Sequence, residues 1–166
     1  MSPHLREMAD IARAYCQLIE GEPAEPDPWL QRLWLQLARL HAAVAALGAH
    51  PEPHGPVAPS DLDARFELYA RLRERLGPRD GYPTEFDWNG SLADDLTDIY
   101  CELKHGLRLF EESPEQALEI WRHGFRVHWG QHLVDASRHL YHLAARIPDG
   151  VGTLGQFDLE ARTPRQ

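Results

Sequence analysis

Apolar residues recur along this chain at intervals of three and four, in five blocks separated by breaks rich in proline and glycine. The first block is Leu5, Met8, Ile11, Ala12, Tyr15 and Ile19; the second is Leu30, Leu33, Trp34, Leu37, Leu40, His41 and Val44. The third is Leu62, Phe66, Tyr69, Leu72 and Leu76, and the fourth Leu92, Leu96, Ile99, Leu103, Leu107 and Phe110. The longest carries Leu118, Trp121, Phe125, Trp129, Leu133, Ala136, Leu140 and Leu143. Such spacing gathers each set on one side of an α-helix, the side a bundle buries. Every block opens on a start signal: Ser2-Pro3, Asp27-Pro28, Ser60 with Asp63, Ser91 with Asp94, and Ser113-Pro114-Glu115-Gln116. Short oxygen side chains accept from the free amides of a first turn, and proline has no donor to lose there. The pattern predicts an all-α, single-domain bundle of about five helices, up-and-down in type, ending in a long C-terminal helix.

The breaks differ in kind. "GEPAEP" is short, whereas "GAHPEPHGPVAP" is a stiff crossover with four prolines. "GPRDGYPTEFDWNG" is a fourteen-residue connection bearing Tyr82, Phe86 and Trp88. Connections of that length are uncommon unless functional or pinned, and three aromatics favour pinning against a bundle end or groove. After Pro148 the periodicity fades, so the expected division is a helical domain over 1–157 and a flexible tail over 158–166.

Composition narrows the setting. With 43% hydrophobic and 26% charged residues the chain reads as soluble and globular. Its net charge of −9 argues against nucleic acid and against anionic membrane surfaces, both of which want clustered Lys and Arg. No window approaches the ~18 apolar residues of a membrane span, and the N-terminus lacks the apolar run of a secretion signal. The two cysteines, Cys16 and Cys101, fall among apolar helical positions and read as buried thiols in a reducing, cytoplasmic setting.

The chemistry-bearing residues sit on the last two blocks. On the longest, His128, His132, Asp135 and His139 fall at i, i+4, i+7 and i+11, a polar edge along the apolar stripe. The fourth block carries a matching acidic edge of Asp95, Asp98 and Glu102, continued by His105. If the edges meet, Asp–His and Glu–His hydrogen bonds form a seam between two helices. Asp94 and Asp95 also lie in a first turn, where negative charge complements the helix dipole and Asp94 completes a capping box. The alternative to a structural seam is a metal site. The i, i+4 spacing of His128 and His132 turns both imidazoles to one side, with a third ligand from His41, Asp98 or Glu102. Glu102-x-x-His105 has the spacing used in di-iron bundles, but the second copy such a centre needs is absent. Gly106, Gly124 and Gly130 inside helices point to close packing, or to a bend at Gly124 or Gly130. The chain has no nucleophile elbow and no phosphate-cradling glycine loop.

The segments "SLADDLTDIYCELKHGLRLFE" and "WRHGFRVHWGQHLVDASRHLYHL" resemble a bacterial family defined as a domain of unknown function, number 5063. The resemblance implies an all-helical cytoplasmic protein of about this length and no assigned activity. It singles out Asp94, Asp95, Asp98, Tyr100, His128, Trp129 and His132 as the segment pair that defines the family. A weaker resemblance is to DinB-like metal-binding bundles, through the early His41 and the late "HWGQ"; here Gly124, not histidine, stands four residues before His128. The expected function is a non-catalytic module that binds a protein partner or a second copy, with no cofactor. The alternative is a metal-dependent hydrolase or transferase with one divalent transition metal on His41, His128 and His132.

Overall fold

The computed structural model describes residues 2–23, 25–48, 61–84 and 90–145. Helices α1 (Pro3–Glu20), α2 (Pro26–Ala46), α3 (Leu62–Leu76) and α4 (Leu92–Phe110) are followed by α5 (Pro114–Gly124), a π turn (Phe125–Trp129) and α6 (Gly130–Ala145). The last three form one long C-terminal rod, so the protein is an up-and-down bundle of five rods. Among the described residues no helix is long and apolar enough to cross a membrane.

Two starts differ from the sequence pattern. Glu25, not Asp27, precedes the first turn of α2, with Pro26 inside it. The α3 cap is Asp61, whose side chain accepts from the Ala64 amide at 3.2 Å; Ser60 lies outside the described residues. Ser91 does cap α4, accepting from the Asp94 amide at 3.2 Å.

Helix α4 is the hub, packed against α1, α3, α5 and α6, while α2 joins α1 to α6. A helix surrounded in this way buries nearly its whole circumference, and Asp95, Thr97, Asp98 and Glu102 are buried with its apolar residues. Its N-terminus is anchored by Asp80, which accepts from the Ala93 amide at 2.7 Å and the Ser91 hydroxyl at 3.0 Å. A two-residue antiparallel pairing of Gly81–Tyr82 (β1) with Gly90–Ser91 (β2) closes the connection and seats Tyr82 in the core. Phe86 and Trp88 lie outside the described residues, as do the crossover over 49–60 and the expected 157/158 boundary.

The expected face of α3 is rotated. Leu68, Leu72 and Leu76 are buried, whereas Leu62 and Phe66 are 73% and 67% exposed. Among the helices α3 rests mainly on α4, so only a narrow stripe is covered. The periodicity of the longest block, for its part, conceals the π turn. The Phe125 carbonyl accepts from the Gly130 amide five residues on, and a Cβ at Gly130 would stand 2.3 Å from that oxygen. Only glycine leaves room for this turn. Close packing also accounts for Gly106, where a Cβ would meet the Trp121 indole at 2.1 Å.

Candidate metal centre

Asp95, Asp98 and Glu102 follow one another at i, i+3 and i+7 down α4, where the helical period stacks them on one side. His128 lies near the end of the π turn and His132 in the first turn of α6, their rings 5.1 Å apart and nearly perpendicular. The two edges meet. His132 Nδ1–H donates to Asp95 Oδ1 at 2.8 Å, and His128 Nδ1–H donates to Glu102 Oε1 at 3.0 Å. With both Nδ1 atoms engaged, both Nε2 atoms face one oxygen. Asp98 Oδ2 stands 3.4 Å from His132 Nε2 and 3.7 Å from His128 Nε2.

The carboxylates are themselves held. Arg65 of α3 donates from Nε to Asp98 Oδ1 at 2.7 Å and from Nη2 to Asp94 Oδ1 at 2.8 Å, leaving Asp98 Oδ2 turned to the imidazoles. Asp95 accepts a short hydrogen bond from the Tyr82 hydroxyl as well as the one from His132. Tyr82 in turn stacks on His139 at 4.7 Å, and His139 Nε2–H donates to the Arg79 carbonyl at 2.7 Å. Gly124 lets Glu102 approach, since a Cβ there would sit 2.8 Å from Glu102 Oε2.

Not every residue of the expected seam reaches this cluster. Trp129 is fully buried core, edge-on to Phe125. Tyr100 donates instead to Glu20 Oε1 at 2.7 Å. Asp135 accepts from Gln131 at 2.8 Å and bears on the cluster only through its charge, which raises the pKa of Asp95. His139 serves the Tyr82 connection. His41 stands outside too: its ring lies 6.0 Å from Phe125 on the exposed side of α2, so the early histidine is replaced by Asp98 as the third group. Arg65 and Tyr82 lie outside both polar edges in the sequence yet hold Asp98 and Asp95. Tyr82 had at least the signal of an aromatic in a long connection, whereas Arg65 depends wholly on how α3 docks.

Asp98, His128 and His132 each offer a ligand atom, all within 4.8 Å of one another. Two ligands about 2.1 Å from a tetrahedral ion stand roughly 3.4 Å apart, close to the two separations between Asp98 Oδ2 and the imidazole Nε2 atoms. Carboxylates holding Nδ1–H fix the tautomer that presents Nε2 to an ion. Two histidines and one carboxylate also leave coordination positions open.

A family defined as "Domain of unknown function (DUF5063)" matches residues 1–146, which takes in α4 and the whole C-terminal rod. The chain belongs to this family. A crystal structure of protein BF1032 from Bacteroides fragilis is similar in fold, with a TM-score of 0.72 at 22% identity. The similarity covers 87% of this chain and 97% of that one. No curated protein matches the chain. Membership brings the DUF5063 fold without an activity.

Burial alone would lower the pKa of His132, but its hydrogen bond to Asp95 and the charges of Asp95, Asp98 and Asp94 outweigh it and raise the value. A raised folded pKa stabilises fully below the unfolded value of about 6.5 and loses that contribution as pH rises through the folded value. In metal-free protein the stability advantage of wild type over His132→Gln therefore shrinks between pH 6 and 8. Urea unfolding of both proteins at each pH checks this, and an advantage that grows over that range refutes the pairing.

Proposed function

We propose that this DUF5063 protein binds one divalent transition metal, zinc or iron(II), through Asp98, His128 and His132. One observation carries the reading: both imidazoles are held at Nδ1 by carboxylates while both Nε2 atoms face the same Asp98 oxygen. Three buried carboxylates, of which Arg65 holds Asp98, crowd two histidines, and a divalent ion offsets the charge that remains. Each histidine side chain stays 24% exposed, so the open coordination positions are reachable from solvent. An ion held by Asp98, His128 and His132 would supply the Lewis acidity that metal-assisted hydrolysis requires. Elemental analysis of protein purified without a histidine tag tests the proposal. About one zinc or iron per chain is expected; a metal-free protein that also refuses added zinc refutes it.

A second reading, docking of a protein partner or a second copy, is favoured by the exposed pair Leu62 and Phe66 one turn apart on α3. Self-association would appear as a concentration-dependent mass in sedimentation velocity, lost in Leu62→Ser/Phe66→Ser. A monomer at all concentrations removes the self-association form of this reading.

A further inference from the structure

A cleft of about 380 Å³ opens beside Asp98 and His128, walled by α3 and α4. That volume suits a small organic ligand. In a chain with net charge −9, four cationic side chains line this one cleft: Arg65, Arg71, Lys104 and Arg108. Four carboxylates line it as well, Asp61, Glu67, Asp98 and Glu102, so the metal-free wall is close to neutral. A divalent ion at the floor changes that balance to about two positive charges, and the cleft then attracts an anion.

The cations are not equivalent. Arg65 is held by Asp98 and Asp94, and Lys104 donates to Glu20 at 2.6 Å. Arg71 on α3 and Arg108 on α4 are exposed, and neither makes a hydrogen bond or ion pair among the described residues. One comes from each of the two helices that wall the cleft. A carboxylate is satisfied by one guanidinium in a two-point contact, whereas a phosphate dianion has oxygens for two.

We infer that the cleft binds a small organic phosphate, its phosphate held by Arg71 and Arg108 and its organic part reaching toward the ion on Asp98, His128 and His132. The inference rests on the metal reading above, because the ion supplies the net positive field. Neither arginine touches the ligating residues, so both can be removed without disturbing the ion.

Calorimetric titration of the zinc-loaded full chain with glycerol phosphate tests it, with glycerol and acetate as the uncharged and carboxylate controls. Saturable binding is expected for glycerol phosphate alone. It should weaken at least tenfold in Arg71→Ala/Arg108→Ala at unchanged zinc content, and at least tenfold in metal-free protein. Zinc loading without phosphate binding overturns this inference and leaves the metal reading standing. So does acetate binding as tightly as the phosphate, or a double variant that binds like wild type. Failure to load zinc overturns both.

Discussion

Alanine at either His128 or His132 is expected to abolish stoichiometric metal binding while leaving the helical circular dichroism intact. In the proposed centre each imidazole would supply one of three protein ligands, and the loss of one would leave two groups that do not enclose an ion. Asp98→Asn should act in the same direction, since it removes the anionic ligand on which both Nε2 atoms converge. Asp95→Asn and Glu102→Gln should behave differently. They disturb the hydrogen bonds that orient the imidazoles but keep every ligand, so affinity should fall about 10- to 100-fold without loss of stoichiometry. Thermal stability gives an independent readout. Zinc at a thousandfold excess over Kd adds about 4 kcal/mol to a protein that binds it only when folded. Wild type should gain that increment and His132→Ala should not. Full metal content in both single histidine variants would mean that the ion sits elsewhere.

Gly130→Ala should cost both stability and metal. The added Cβ would stand 2.3 Å from the Phe125 carbonyl oxygen, a backbone atom that cannot swing aside as a side chain can. Alanine is worth about 1 kcal/mol more than glycine in an ordinary helix interior, so local propensity pulls the other way. Here the steric effect wins, because relief requires the π turn itself to rearrange. Removing its extra residue would turn α6 by about 100° relative to α5, the step of one helical residue. His132 would then leave Asp95, and Leu133, Ala136 and Leu140 would leave the core. A cost of about 1–3 kcal/mol is expected for the overpacking, with metal affinity lost alongside. Urea unfolding and metal analysis measure the two effects, with Gln131→Ala at the exposed neighbouring position as the control. A Gly130→Ala protein as stable and as metal-competent as wild type would show that the turn does not hold the site.

The helices and their polar edges were legible in the chain because each is a local property. Residues three and four apart share a helix face whatever surrounds them, so the spacing of Asp95, Asp98 and Glu102 and of His128 and His132 already puts each set on one side. Ser91 caps α4 as its sequence implies, and the interior glycines mark close contacts. The position of the longest block's irregularity was legible only as a choice between Gly124 and Gly130. The kind of irregularity was not, since a π turn changes register by one residue and leaves the apolar spacing readable as plain helix.

Tertiary structure alone decided which groups converge. Asp98 rather than His41 completes the cluster because α4 sits at the centre of the bundle and turns its acidic edge to the rod, while His41 lies on the exposed side of α2. Arg65 reaches Asp98 across 33 residues of sequence, and Tyr82 reaches Asp95 through a two-residue ladder; neither contact leaves a periodic trace. Leu62 and Phe66 show the same limit from the other direction, apolar by pattern yet exposed because α3 finds its main helical neighbour in α4. Periodicity reports which residues share a face. How far each helix rotates about its own axis when it packs is set by side chains distant in sequence, and that rotation decided which faces met.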